Sequence, residues 1–191
     1  MGDTSLGVDQ LARIRRVPRV RGRSIVLRDV TVDDAPFILS LRLDPKRNQF
    51  LSPVADDVGR QQAWIRNYLQ SEGQAYFVIS SLTGEALGVV RLYDAEGDSF
   101  SWGSWIMKEG APVAAAMEAA LLVYRLGLDW GFQAAHFKVH QANVSVLKFH
   151  EMFGARRVAQ VGNEVQLHIG RDAIEAALQR FSRFLPPRAT S

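Results

Sequence analysis

Cysteine is absent from this chain, which excludes disulfides, thiolate nucleophiles and cysteine-ligated metals. Long apolar runs are missing too. None approaches the ~20 residues that a bilayer-crossing helix needs. The polar, then arginine-rich start has no signal-peptide core. A cytoplasmic location is therefore expected. The only histidines are His136, His140, His150 and His168, and none stands in a ligand pattern such as H-E-x-x-H. No metal cofactor is expected. Walker, nucleophile-elbow and dinucleotide-binding glycine motifs do not occur.

What is present is an ordinary globular composition. The 191 residues are 47% hydrophobic and 23% charged, which suits one domain with a substantial core. The formal charge of +3 is unevenly spread. Residues 1–23 hold Arg13, Arg15, Arg16, Arg19, Arg21 and Arg23 against Asp3 and Asp9, so the remainder is nearly neutral. The chain is expected to divide into a basic extension over 1–23, a single domain over 24–184 and a tail over 185–191. An arginine arm can meet an acidic partner. No aromatic residue interrupts it for base stacking, so nucleic acid is not the expected partner.

Periodicity predicts the order β-α-α-β-β-β-α-β-α-β-β-α. Strands are expected over Ser24–Val30, Ala75–Ser80, Leu87–Tyr93, Ser99–Met107, His136–Gln141, Ala155–Val161 and Glu164–Ile169. Helices fall between Asp33 and Leu43, around Trp64–Leu69, after Pro112, over Asn143–Phe153 and over Asp172–Phe184. A meander followed by helical crossovers implies a mixed sheet with helices on both faces.

The chain is organised around Ser99 to Ala155. A strand ending at Met107 feeds Lys108-Glu109-Gly110-Ala111-Pro112, and then a helix whose stripe is Met117, Leu121, Tyr124 and Leu128. Pro112 suits a helix start, and the small residues behind it leave the first-turn amides uncrowded. Unpaired N–H groups and the helix dipole then point the same way, which makes an anion site. Trp102 and Trp105, three apart, are expected on opposite faces of their strand.

Downstream, Asn143, Val146, His150, Gly154 and Ala155 occupy the places where one family carries Asn, a small or apolar residue, Tyr, Gly and Phe. The chain resembles the GCN5-related N-acetyltransferases over about residues 24–170. That resemblance implies a mixed, mostly antiparallel twisted sheet of about seven strands, split between the fourth and fifth. It also implies acetyl-CoA as co-substrate and direct attack of a primary amine on the thioester. Arg42-Leu43-Asp44-Pro45-Lys46-Arg47-Asn48-Gln49-Phe50 is similar to an acceptor-site segment of nucleotide-sugar N-acetyltransferases of the pseudaminic-acid type. A small-molecule amine, nucleotide-linked, is thus the expected partner, with a homodimer open. Ribosomal-protein N-terminal acetyltransferases share the layout, and a non-catalytic acyl-CoA-binding module is the alternative of another class.

The resemblance assigns roles residue by residue. Ile106, Met107, Lys108, Gly110, Ala111, Val113, Ala114, Ala115, Asn143 and Lys148 would hold the cofactor, with a backbone N–H near Ile106 polarising the thioester carbonyl. Arg42, Asn48, Gln49, Phe50 and Trp102 would shape the acceptor pocket. His150 replaces the family's tyrosine and would protonate the departing thiolate, for which a histidine near pKa ~6.5 is suited. The phosphate loop departs from the family's Gln/Arg-x-x-Gly-x-Gly/Ala: its basic lead residue is missing, and Lys108 is the nearest substitute. No carboxylate base stands on the Ser99–Met107 strand, which leaves water or His140 for that task.

Overall fold

The computed structural model describes residues 12–187. Its strands are β1 (Arg19–Arg21), β2 (Ile25–Asp29), β3 (Ala75–Ser81), β4 (Ala86–Glu96), β5 (Ser99–Met107), β6 (Ala134–His140), β7 (Arg156–Val161) and β8 (Glu164–Gly170). Helices α1 (Ala35–Leu43), α2 (Val58–Gln70), α3 (Val113–Asp129), α4 (Val144–Met152) and α5 (Arg171–Arg180) complete it. The strands form one sheet in the order β1-β2-β3-β4-β5-β6-β8-β7, antiparallel throughout except for the parallel pair β5–β6. This is the expected mixed sheet with its split in the expected place.

Alternation along the strands sorts the apolar residues into two cores. Ile25, Leu27, Phe77, Ile79, Val90, Leu92, Phe100 and Trp102 pack with α3 and α5. Val30, Tyr76, Val78, Val89 and Ile106 pack with α1 and α2. Sheet faces buried on both sides in this way read as near-continuous apolar runs, as in Tyr76–Ile79.

The eighth strand comes from the arginine arm. Val20 pairs with Leu27 across β1–β2, and Ile14 is buried in the larger core. The arm's described part is therefore built into the domain's edge; residues 1–11, with Asp3 and Asp9, lie outside the described residues. Glu118 on α3 fastens it, accepting from the Arg23 amide and from the Ser24 hydroxyl at 2.5 Å. Arg16 pairs with Asp29 at 2.8 Å, and Arg23 donates to the Arg183 carbonyl at 2.8 Å.

Two features of β5 shape everything downstream. It pairs with β6 only at Ser99–Ala134 and Phe100–Ala135, whereas β6 stays paired to β8 along its whole length. It also carries an extra residue against β4: Arg91 faces Gly103 while Val89 faces Ile106. Ser104, at φ 45°, lies within this bulge. The added residue shifts the alternation by one, so Trp102 and Trp105 do not alternate faces as their spacing implied. Their ring centroids lie 5.5 Å apart on the α3 side.

Gly127 is where α3 closes on the sheet. A Cβ there would come within 2.3 Å of the Phe100 ring carbons Cε1 and Cζ, and that ring is itself fully buried and packed on Phe132 at 5.1 Å. Alanine gains about 1 kcal/mol in helix propensity, but overpacking a rigid ring costs about 1–3 kcal/mol. Gly127→Ala should therefore lower stability, with Tm falling by a few degrees in thermal unfolding; an unchanged or raised Tm would show that Phe100 yields freely.

Candidate active site

Where β5 and β6 part, a cleft of about 550 Å³ opens. It is walled by β5 from Ser101 to Met107, β6 from Phe137 to His140, the start of α4 and the loop after α1. A volume of this size takes a small-molecule ligand. The notch, the loop and α4 are thus brought together by the sheet order alone.

The wall on the α3 side is aromatic. His150 stacks on Phe137 with centroids 3.9 Å apart and meets Trp102 edge-on at 5.3 Å. Trp102 also packs edge-on against Tyr124 and Phe137. Trp102 lines the cleft but is only 3% exposed, so most of its ring is taken up by this aromatic wall. His150 is only 4% exposed, and its Nδ1 is buried with no hydrogen-bond partner among the described residues. Burial pulls its pKa down from 6.5 to about 4, because the aromatic surroundings disfavour the imidazolium. The sequence expectation of an acid titrating near neutrality fails for that reason. At pH 7 His150 is therefore neutral.

On the other side of the cleft, Tyr93, Lys138 and His140 join the loop residues Gln49 and Phe50. Phe50 is 41% exposed, and its ring stacks on His140 at 5.3 Å. His140 Nδ1 accepts from the Ala142 amide at 3.2 Å, which leaves the neutral ring's proton on Nε2. That tautomer presents a donor at Nε2. Tyr93 stands over Gly103, where a Cβ would come within 2.8 Å of the phenol oxygen. Glycine at that position keeps the hydroxyl in the cleft. Sequence reading passed over Tyr93 and Lys138, whose signal was only their alternation with buried neighbours.

Lys108 donates its backbone N–H to Leu87 O at 2.8 Å. The ladder's alternation then turns Ile106 toward β4 and the Met107 amide toward the notch. The Met107 carbonyl, on the same edge, accepts from Arg47 Nε at 2.6 Å. The Lys108 ammonium pairs with Glu85, so its charge is already engaged. Gly110 takes φ 76°, turning the chain into Pro112. Pro112, Val113 and Ala114 are exposed, Ala115 is buried, and no side chain caps α3 among the described residues. Asn143 lines the cleft at the start of α4, and Lys148 is exposed further along. Arg42 donates to Ser52 O at 3.0 Å, and the Asn48 amide to Asp44 O at 3.0 Å; both brace the loop behind Phe50.

A family model described as "Acetyltransferase (GNAT) domain" matches residues 24–156. The chain belongs to the GNAT acetyltransferases. It is therefore an N-acetyltransferase, as the sequence reading expected. Among solved structures it is similar to apo FdhC, a nucleotide-linked sugar GNAT, with 34% identity over 88% of this chain and 98% of that one, at a TM-score of 0.79. The fold is also shared with a GCN5-related N-acetyltransferase from Brucella melitensis, at 16% identity, 95% and 91% coverage and a TM-score of 0.75. Spermidine N-acetyltransferase from Vibrio cholerae, solved with CoA and spermine, shares the fold at 12% identity, 80% and 98% coverage and a TM-score of 0.69. No curated protein gives a significant sequence match. No helix among the described residues is long and apolar enough to cross a membrane.

The buried imidazole also makes stability depend on pH. The unfolded chain takes a proton at His150 near pH 6.5, whereas the folded chain refuses it until about 4. Acidification from pH 6.5 to 4 therefore favours unfolding, by up to about 3 kcal/mol from this residue. Denaturant unfolding across that window should show a steeper loss for the wild type than for His150→Phe; equal slopes would contradict the assigned burial effect.

Proposed function

We propose that the protein transfers an acetyl group from acetyl-CoA to the primary amine of a nucleotide-linked amino sugar, by direct attack on the thioester. The observation carrying the acceptor class is the 34% identity to FdhC, the nucleotide-linked sugar GNAT, over nearly the whole of that chain. The cleft's acceptor side is compatible with it. An exposed phenyl ring, Phe50, stands beside Lys138 at the rim, with Lys46 and Arg47 close by in pairs with Glu109 and Asp44, a combination suited to a planar base with an anionic group.

Acetyl-CoA is the co-substrate that the family implies, and the residues present fit it. Gly110, Ala111, Val113, Ala114 and Ala115 offer backbone N–H groups at the exposed, uncapped start of α3, where the helix dipole favours an anion. Backbone donors suffice there without the missing basic side chain. The Met107 amide, on the edge of β5 that faces the notch, is the donor aimed at the thioester carbonyl, with Ile106 packed behind it. Asn143 and Lys148 on the other wall flank the cofactor's arm. His150 acts as a neutral donor: its ring N–H stabilises the thiolate as the C–S bond breaks, and solvent supplies the proton that the thiol finally carries. Gln49 and Phe50 contact the acceptor, with Arg42 and Asn48 holding their loop. The acceptor amine, entering uncharged, loses its proton to water in the open cleft.

Two substitutions separate these parts. Ala114→Asp puts a carboxylate where the diphosphate binds, so KM for acetyl-CoA should rise at least about 10-fold. The same charge favours the helix start, so Tm should hold or rise. His150→Phe should lower kcat roughly 10²-fold with KM for acetyl-CoA little changed. Free-thiol release from acetyl-CoA, measured with nucleotide-linked amino sugars, polyamines and peptide N-termini, tests the acceptor. Turnover with the first class supports the reading, and preference for either of the others overturns it.

A further inference from the structure

Away from the cleft's lining, three potential ligands meet at its closed end. Asp94 and Glu96 stand at the end of β4, and His136 stands on β6, one residue past the last contact of the β5–β6 pair. One ligand atom from each lies within 4.8 Å of the other two. We propose that Asp94, Glu96 and His136 form a binding site for a divalent first-row cation, best suited to zinc.

The geometry argues for a cation over a simple ion pair. His136 Nε2 lies 3.6 Å from Asp94 Oδ2, too far for a hydrogen bond. It is close to the ~3.4 Å edge of a tetrahedron whose ligands sit at ~2.1 Å from a zinc ion. That nitrogen is buried and has no hydrogen-bond partner among the described residues. The other ring nitrogen, Nδ1, is held 2.8 Å from Ser99 Oγ. With Nδ1–H donating to the hydroxyl, the Nε2 lone pair faces the carboxylates, the orientation that outer partners impose on metal-binding histidines.

Charge points the same way. Two carboxylates converge here, and among the described residues neither Asp94 nor Glu96 pairs with a lysine or arginine. One imidazole with two carboxylates selects zinc or a similar borderline cation over magnesium, and solvent completes the tetrahedron. Asp94 reaches the site because β4 carries an extra residue between Tyr93 and Glu96 and Asp94 itself takes φ 53°. Bound there, the cation ties the β4–β5 hairpin to β6 at the vertex from which β5 and β6 diverge. His136 shares its strand face with Lys138 and His140, so the clip lies behind the acceptor side of the cleft. The site stands whatever the acetyl acceptor is.

The test is calorimetric titration of zinc into the untagged, chelator-treated full chain, with Tm followed in parallel. One site per chain is expected, with Tm rising by about 5–10 °C at a 100-fold excess over Kd. Asp94→Asn and Glu96→Gln, which keep side-chain size, should each weaken binding roughly 10-fold or more, and His136→Gln should abolish it. Anomalous diffraction at the zinc edge should place the ion among these three side chains. Absence of heat and of a Tm rise overturns the proposal. So does zinc binding that survives in both carboxamide variants, or magnesium binding as tightly as zinc. If His136→Gln fails to fold, the two carboxamide variants decide.

Discussion

The structure depends on a broken partnership. β5 and β6 share two residue pairs, Ser99–Ala134 and Phe100–Ala135, and then separate. Two physical causes act together. The bulge around Ser104 bends β5, while β6 keeps seven consecutive pairs with β8. Large rings then fill the angle on the α3 side: Trp102, Trp105, Phe137, Phe149 and His150 contact one another there. A strand that leaves its neighbour exposes its backbone, and an exposed backbone donor inside a cleft is what thioester chemistry uses.

The same aromatic packing decides the electrostatics. The pKa of the His150 imidazole is strongly lowered, and the cause is its burial among aromatic side chains. A neutral imidazole cannot deliver a proton from a charged store, but it can hold a hydrogen bond to a developing anion in a low-dielectric wall, where such a bond is stronger than in water. The opposite wall is wetter and more basic. The cleft thus has a dry side where Trp102, Phe137 and His150 pack together, and a polar side built from the α1–α2 loop, Lys138 and His140.

Much of this was legible in residue order. The strand ending at Met107, the helix opened by Pro112 and the helix from Asn143 each carry local signals that no packing overrides. Helix α3, for instance, needs only its apolar stripe and a proline at its cap. The arm was less legible, because β1 is three residues long and its pairing with β2 is a long-range choice. Lys108 was misleading for a similar reason: Glu85, which engages it, lies on the far side of a hairpin. The tryptophan pair misled because one inserted residue reverses every side chain beyond it, and the insertion shows only in the register with β4.

By itself, then, the amino-acid order determined the elements, their succession and the family, since these rest on short-range periodicity, caps and spacing. The tertiary structure alone decided which amide faces the notch, how dry His150 is, which rings keep a free face, and that Asp94, Glu96 and His136 meet. Those properties arise from register and burial. Both are set by contacts between residues far apart in the chain, about which local sequence carries no instruction.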